Sequence, residues 1–292
     1  MNWDDVRIFL AVARAGQLLA AGRRLGLNHA TVARRVSALE AALKVKLMDR
    51  RTNGCHLTPA GERFLTSAEA MEAEMLAATA ATDADMDLSG TVRIGAPDGF
   101  GVAFLAPRLG ELTARHPGLT VQLVPGPRSI SLSRREADIA VAVERPEHGR
   151  LVARKLVDYT LGLFAHARYL ESHGTPAGPA DLKEHQLVGY VEDLVFSPAL
   201  AYASEVAKDW QARFEIASTL GQTEAVRAGA GIGILHSFIA RRDPALMPVL
   251  PDKTINRAYW LVYHETLRDQ RRIRVVADFI TDLVDREKGI FA

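Results

Sequence analysis

Two short groups of apolar residues, spaced as on helices and joined by a glycine, stand out within residues 16–40. Leu18 and Leu25 lie seven positions apart, so they can share one buried helix face. Gly26 follows, where glycine readily adopts the positive φ that ends a helix. Asn28 is then placed to cap a second helix. The apolar face of that helix comprises Val32, Val36 and Leu39. The pattern predicts two short helices joined by a tight turn.

The polar residues of the second helix lie on its other faces and begin in its first turn. A helix that follows a glycine-containing turn and exposes such residues is typical of the recognition helix of a helix-turn-helix, which enters the major groove of DNA. An ordinary helical hairpin, with its arginines on a solvated face, remains the alternative at this point. The residues predicted to face DNA are Asn28, His29, Thr31, Arg34 and Arg35.

A basic segment follows between two further apolar stretches. Residues 43–48 and 55–58 predict two strands, with Asn53 and Gly54 at the tip of a β-hairpin. A basic hairpin after a recognition helix suits a "wing" that contacts phosphates or the minor groove. The wing residues predicted to contact DNA are Arg50, Arg51 and Asn53.

The charge of the chain is distributed unevenly. Residues 1–58 hold ten basic and four acidic residues, a net charge of +6. Because the whole chain carries only +1, the remainder carries −5. Such asymmetry suggests that one part alone contacts nucleic acid, where release of counterions from phosphates supplies most of the non-specific affinity.

A long segment free of proline begins after Pro59 and predicts a helix over residues 59–87. Thr58 can cap this helix, and proline suits its first position. Apolar and small residues recur at alternating steps of four and three, which is typical of a two-helix coiled coil. A single amphipathic helix lying on its own domain is the alternative. The residues predicted to form the pairing seam are Phe64, Ala68, Met71, Met75 and Ala78.

Beyond residue 90, strand patterns alternate with helical ones. Residues 92–95, 121–124 and 138–143 predict strands, and residues 102–116 predict a helix. This alternation indicates βαβ units and a mostly parallel sheet. About two hundred residues of this kind suggest two lobes.

Open α/β sheets bind ligands beyond the carboxyl ends of their strands, and several polar and aromatic residues follow the predicted strands. For Asp98 the alternative is plain capping of a helix, and for Arg128 it is a surface or hinge ion pair. The residues predicted to line the ligand crevice are Asp98, Phe100, Arg128, Ser129, Phe196, Thr219, Gln222 and Thr223.

Other chemistry finds little support in the sequence. The glycine-rich residues 229–233 lack the preceding strand and following helix of a dinucleotide site, so we predict a tight helix-to-strand turn there. The nine histidines are scattered and the chain has one cysteine, so we expect no zinc site and no intramolecular disulfide. No catalytic constellation is evident, so we do not expect an enzyme. An acidic start without a signal-peptide pattern predicts a cytoplasmic protein that is not embedded in a membrane.

The chain resembles the LysR-type transcriptional regulators over nearly its whole length. The most specific part is residues 16–61, including the run 57–61, Leu-Thr-Pro-Ala-Gly. The chain departs from the family where serine is usual near Gln17 and Ala33, where an aromatic residue is usual near Met48, and where glutamine is common in place of His29. These departures affect the base contacts, and hence the operator sequence, more than the fold.

The resemblance implies a mainly helical winged helix-turn-helix over residues 1–58, followed by a dimerisation helix and connector over 59–90. It further implies a two-lobed, periplasmic-binding-protein-like α/β effector domain over 91–292. The first lobe would comprise residues 91–158 and 265–292, and the second residues 159–264.

The function that follows is a DNA-binding transcriptional regulator controlled by a small-molecule effector, without a cofactor. Its partners would be double-stranded DNA and copies of itself, as a homodimer or a homotetramer, with RNA polymerase a candidate. The carboxylate of Asp98 favours a neutral, amine-bearing or zwitterionic effector. The alternatives are a solute-binding protein or an α/β enzyme with an incidental basic head. An exported location would support the first, and detectable turnover the second.

Overall fold

A computed structural model describes residues 2–51, 54–82, 88–126, 136–147, 149–207 and 209–291, except for the side chains of residues 73 and 76–82. The chain divides into two units, Met1–Met86 and Asp87–Ala292. The predicted residues Asn53, Arg128 and Ser129 lie outside the described residues, and so does the side chain of Ala78.

The described residues of the first unit form four helices and a two-stranded hairpin. Its elements are α1 (Trp3–Ala15), α2 (Leu18–Leu25), α3 (His29–Leu43), β1 (Met48–Arg51), β2 (Gly54–Leu57) and α4 (Pro59–Thr82). Gly26 ends α2 with φ 67°, and the side chain of Asn28 accepts a hydrogen bond of 2.7 Å from the Thr31 N–H at the start of α3. The predicted helix-turn-helix is therefore confirmed, together with its turn and its cap.

The first strand of the hairpin begins later than predicted. Residues 43–48 do not form a strand, because α3 continues to Leu43 and Lys44 then turns the chain with φ 54°. The strand begins at Met48, and Arg51 pairs with Gly54 across the hairpin. The prediction was wrong because a short apolar run fits a helix end and a strand equally well.

The start of α4 packs against the other elements of the first unit. The Thr58 hydroxyl accepts a hydrogen bond from the Gly61 N–H, as predicted for a helix cap. Phe64 packs edge-on against Phe9 in α1 with ring centroids 5.2 Å apart, and Ala68 is fully buried in the same core. The sequence expectation of a pairing seam is therefore corrected for Ala68, whereas half-buried Phe64 at the seam stays a prediction.

Later residues of α4 are exposed. Met71 and Met75 leave 40% and 52% of their surfaces accessible, whereas Glu72 is held to α1 by both guanidinium nitrogens of Arg14, at 3.2 and 2.6 Å. Since these two methionines are one turn apart, they form an exposed apolar strip on a helix whose other side is anchored.

The second unit is built around one eight-stranded sheet with the strand order β4-β3-β5-β10-β6-β9-β7-β8. Its strands are β3 (Gly90–Pro97), β4 (Leu119–Gly126), β5 (Ile139–Ala142), β6 (Leu151–His166), β7 (Leu187–Gly189), β8 (Phe214–Glu215), β9 (Ile232–His236) and β10 (Leu246–His264). The outer pairs are parallel, whereas β6 and β10 run antiparallel to each other through the centre. The two long strands thus join the halves of the sheet.

Helices cover this sheet. They are α5 (Asp98–Phe100), α6 (Leu109–Arg115), α7 (Ala167–His173), α8 (Ala203–Val206), α9 (Thr219–Arg227), α10 (Ser237–Ala240) and α11 (Arg271–Arg286). Short 3₁₀ helices occupy Pro179–Glu184, Glu192–Leu194, Pro198–Leu200, Glu265–Leu267 and Lys288–Phe291, and a π-helical turn occupies Gly101–Leu105.

The helix predicted over residues 102–116 is interrupted. It comprises the π-helical turn Gly101–Leu105 and α6, with Pro107 between them. Ala106, before the proline, keeps a helical backbone with φ −52° and ψ −43°. Pro107 itself has no N–H to donate to the preceding turn, so the break follows from a residue that the prediction overlooked.

The glycine-rich residues 229–233 form the predicted helix-to-strand turn. Gly229 and Gly231 adopt φ angles of 82° and 146° between α9 and β9. A Cβ at Gly231 would lie 2.1 Å from the Gln186 carbonyl oxygen, so glycine is required by space as well as by conformation.

No helix among the described residues has the length and apolar character needed to cross a bilayer. Within the same residues, no group of three or more His, Cys, Asp or Glu side chains is placed to hold a metal ion.

Candidate DNA-binding surface and ligand crevice

The start of α3 presents polar side chains to solvent, whereas its opposite face is buried. His29 and Arg34 are exposed and Thr31 is half-buried, while Val32 and Val36 lie in the core of the first unit. Asn28 is exposed, but its side-chain oxygen caps the helix. Three of the predicted DNA-facing side chains, His29, Thr31 and Arg34, thus share a solvent-accessible helix start.

Arg35 is occupied by an ion pair within the unit. Its guanidinium donates to Asp5 at 2.9 Å and lies 3.5 Å from Asp4, both in the first turn of α1. Asp5 is only 8% exposed, so this pair ties α3 to α1. A contact of Arg35 with DNA stays a prediction, and in it the guanidinium would be shared between DNA and these carboxylates.

The wing is connected to α3 through Arg50. Its guanidinium donates to the Ala33 carbonyl at 3.1 Å and to the Ser37 hydroxyl at 2.8 Å. Arg51 is exposed on the same strand. Arg50 therefore fixes the wing on α3, whereas Arg51 is the better placed of the two arginines to contact a phosphate.

Glu40 is a buried carboxylate that the sequence analysis did not identify. It accepts hydrogen bonds from the N–H groups of Leu47 and Met48, at 2.8 and 3.1 Å, and from the Lys46 ammonium at 3.1 Å. Burial by itself raises the pKa of Glu40, but the two backbone hydrogen bonds and Lys46 outweigh it and lower that pKa. Glu40 thus fixes the chain between α3 and the wing. Nothing in the hydrophobic pattern signals this role.

In the second unit, Asp98 follows β3 and lies at the start of α9. Its carboxylate accepts a hydrogen bond of 2.6 Å from the Ser218 hydroxyl and one of 3.4 Å from the Leu220 N–H. It also accepts one of 2.9 Å from the Gly99 N–H. A helix start favours negative charge because its N–H groups lack partners. The protein's own carboxylate therefore occupies a position suited to an anion.

Thr219 is a predicted crevice residue that lies against the segment holding this carboxylate. A Cβ at Gly99 would lie 3.0 Å from the Thr219 methyl group, so the chain segments after β3 and before α9 are in direct contact. Ser218, which the prediction missed, caps α9 through the Gly221 N–H at 3.0 Å. Serine is a preferred helix-capping residue, and it bonds the N–H three residues later. The spacing between Ser218 and Gly221 in a helical pattern is a signal that could have revealed this cap.

Two expected lining residues lie in the core, which corrects the sequence expectation. The ring of Phe100 is fully buried against Tyr259 and Phe104, with centroids 4.6 and 5.0 Å away. Thr223 is 1% exposed and donates to the Thr219 carbonyl. Apolar and hydroxyl residues near a strand end were assigned to the crevice from chain order alone, which does not reveal the direction of a side chain.

The other predicted crevice residues differ in exposure. The buried amide of Gln222 donates to the Ile216 carbonyl at 3.0 Å, whereas Phe196 is among the exposed aromatic residues. The structure thus brings together Asp98 and Thr219, and it does not bring Phe196 into a described contact with them.

A stack of aromatic rings near Asp98 spans the three neighbouring strands β10, β6 and β9. Tyr159 of β6 stacks on Tyr259 of β10, with centroids 4.1 Å apart, and on His236 of β9, at 5.1 Å. Complete burial lowers the pKa of His236 to about 4, although the negative charge of Asp98 acts in the opposite direction. The imidazole is therefore neutral at pH 7 and serves as part of the core.

Comparison with protein families matches both units. Residues 3–62 match the model of the bacterial regulatory helix-turn-helix protein of the lysR family, and residues 86–285 match that of the LysR substrate binding domain. The chain belongs to the LysR family of transcriptional regulators. The predicted resemblance and fold class are thereby confirmed.

Individual relatives agree with this assignment. The HTH-type transcriptional regulator CrgA of Neisseria meningitidis serogroup C is 28% identical over 291 residues, covering 96% of each chain. A solved structure of CrgA from N. meningitidis, 26% identical, covers 97% of this chain and 98% of its own with a TM-score of 0.62.

A full-length structure of LysG from Corynebacterium glutamicum, described with bound effector Arg, is 20% identical and shares the fold. It covers 98% of this chain and 99% of its own, with a TM-score of 0.65. As a member of the LysR family, the present chain is a transcriptional regulator with an N-terminal helix-turn-helix domain and a C-terminal substrate binding domain.

Proposed function

We propose that this LysR-type regulator binds its operator through the start of α3, and that a ligand between the segments after β3 and before α9 alters that binding. The observation that carries the proposal is the amphipathic division of α3. His29 and Arg34 are exposed, whereas Val32 and Val36 are buried. A helix of this kind can enter the major groove without disturbing its own core.

Mapping of bound DNA across the genome tests this proposal. We expect a small set of sites with inverted-repeat symmetry, because a two-fold symmetric pair of recognition helices contacts two half-sites. The genes beside those sites would indicate the chemical class of the effector. Binding spread evenly over the genome, with no enriched sequence, would contradict the proposal.

The remaining features of the proposal concern assembly, location and boundaries. We propose a homodimer formed through α4, with a homotetramer as the higher assembly, in the cytoplasm and with RNA polymerase as a further partner. The domain boundaries remain those expected: residues 1–58, 59–90 and 91–292, with lobes of 91–158 plus 265–292 and of 159–264. Met71 and Met75 support pairing through α4, because both are exposed apolar side chains on one helix.

Replacing Met71 and Met75 together by glutamate is expected to abolish dimerisation through α4. Four carboxylates would then meet in an apolar seam, and burying unpaired charge is strongly unfavourable. The mass of the variant in solution, measured by light scattering, should fall, and its affinity for a two-half-site DNA should fall with it. Exposed Glu62, replaced by glutamine, serves as the control. If the mass and DNA affinity stay unchanged, the dimer interface lies elsewhere.

The position of Asp98 predicts the charge of the effector. Its carboxylate already accepts hydrogen bonds at the start of α9, so a simple anion would meet a like charge. We expect neutral, amine-bearing or zwitterionic compounds to raise the melting temperature of the native chain, and simple dicarboxylates to fail. In Asp98→Ser the hydroxyl side chain leaves the helix start vacant, and dicarboxylates should then stabilise the protein by mass action.

The control for this prediction is Asp193→Ser, which removes an exposed carboxylate in the same unit. Its ligand preference should match that of the native chain. Strong stabilisation of the native chain by a dicarboxylate, unchanged in Asp98→Ser, would refute the charge argument without refuting the crevice.

A further inference from the structure

A second cavity, of about 780 Å³, lies within the second unit beside the carboxyl end of β7. This volume falls within the range of small-molecule sites. Of the predicted crevice residues, the described lining includes only Gln222, and it includes no residue of the segment that follows β3. The cavity therefore adjoins the site that Asp98 and Thr219 form, since it shares Gln222 with the predicted crevice and the charge of Asp98 acts on its lining residue Tyr190.

Three aromatic side chains are among the described lining residues of the cavity. Tyr202 is 7% exposed, and Tyr190 and Trp210 are half-buried. Because Gly189 has no side chain, the chain around Trp210 and Ala212 can approach the end of β7 closely. A Cβ at this position would lie only 2.7 Å from the Ala212 methyl and 3.3 Å from the indole nitrogen of Trp210. The close approach of Trp210 to this strand end thus depends on a glycine at position 189.

The charges at the cavity are negative. Glu192 and Glu215 are both exposed lining residues, and none of the described lining residues is a lysine or an arginine. The pKa of Tyr190 is raised first by burial and then by the negative charge of Asp98. Arg257 is the positively charged group that acts on the pKa of Tyr202, and its guanidinium forms an ion pair with Glu205. An anion would therefore be repelled here.

We propose that this cavity binds an organic cation, an amine or guanidine carried on an apolar group. Aromatic faces attract cations through their quadrupoles, and the effect is strongest for tryptophan and when the cation is shielded from water. Carboxylates at the rim add attraction that salt can screen. A bare metal ion fits less well, because the described residues offer no cluster of metal-binding side chains. This inference rests on the proposed function and deepens it, since it names the class of ligand and the residues at the β7 side of the crevice.

Calorimetric titration of the full chain with three matched probes tests the inference. 2-Phenylethylammonium, 2-phenylethanol and phenylacetate share a ring and differ in charge. We expect the cation to bind at least about tenfold more tightly than the alcohol, and phenylacetate to bind most weakly. Trp210→Leu should weaken binding of the cation about tenfold. Glu192→Gln with Glu215→Gln should weaken it severalfold and reduce its salt dependence.

The control is Glu171→Gln, which removes an exposed carboxylate of the same unit that does not line the cavity. If Trp210→Leu fails to fold, as judged by its melting curve, the double glutamine variant carries the test, since both of its positions are on the surface. The inference is overturned if no probe binds, if the three bind equally, or if Trp210→Leu and the double glutamine variant both bind the cation as tightly as the native chain does. DNA binding by the ligand-free chain, measured in the same preparation, shows separately whether the regulator function holds.

Discussion

Replacing His29, Thr31 or Arg34 by alanine is expected to weaken binding to the native operator by roughly 1–3 kcal/mol for each side chain that reads a base, about five- to 150-fold. The three side chains lie at the solvent-accessible start of α3. Arginine can bind guanine through two hydrogen bonds, so removing Arg34 should relax the choice of base at one position. Fluorescence anisotropy with the native site and single-base variants measures both effects.

Two further variants separate sequence-specific binding from general attraction to phosphate. Arg51→Ala, on the wing, should weaken binding to all DNA sequences alike and lower the salt dependence by about one phosphate contact. Arg168→Ala removes an exposed positive charge from α7 in the other unit and should leave DNA binding unchanged. Equal affinity of the three α3 variants and the native chain for the operator would remove the assignment of α3 as the recognition helix.

Replacing Glu40 by alanine is expected to destabilise the DNA-binding unit by about 3 kcal/mol, because it leaves two buried N–H groups, those of Leu47 and Met48, without an acceptor. Hydrogen exchange followed by mass spectrometry on the full chain should show reduced protection in residues 29–57 and little change in the second unit. Glu62→Ala, an exposed carboxylate of α4, is the control and should change little. Equal protection in Glu40→Ala and the native chain would show that water or another group replaces the carboxylate.

The same carboxylate makes the stability of this unit depend on pH. Since the folded-state pKa of Glu40 is lowered, its contribution is present above the unfolded-state pKa. That contribution is lost as the pH falls through the folded-state pKa. The difference in stability between the native chain and Glu40→Gln should therefore be largest near neutral pH and shrink in acid. A difference that does not change with pH would show that the charge of Glu40 is not involved.

The helix-turn-helix could be predicted because its signals are local. Gly26 and Asn28 end one helix and begin the next through their own backbone preferences, and the buried positions of α3 recur with the helical period. The strands predicted over 92–95 and 121–124 were also recognisable from their apolar runs, although each extends two residues further at both ends. A short apolar run fits both a helix end and a strand. At residues 43–48 the pattern favoured a strand, whereas the chain there ends α3 and turns at Lys44.

The roles of charged side chains were decided by tertiary structure. Arg35 and Arg50 belong to a basic face by composition, yet one pairs with Asp5 and the other holds Ser37. Asp98 meets Ser218 although 120 positions separate them. The sequence by itself determined the fold class, the family and the helix proposed to contact DNA, because propensity, capping and hydrophobic period act over a few residues. Only the tertiary structure decided which polar groups face solvent and which bind one another, because that depends on how distant elements pack.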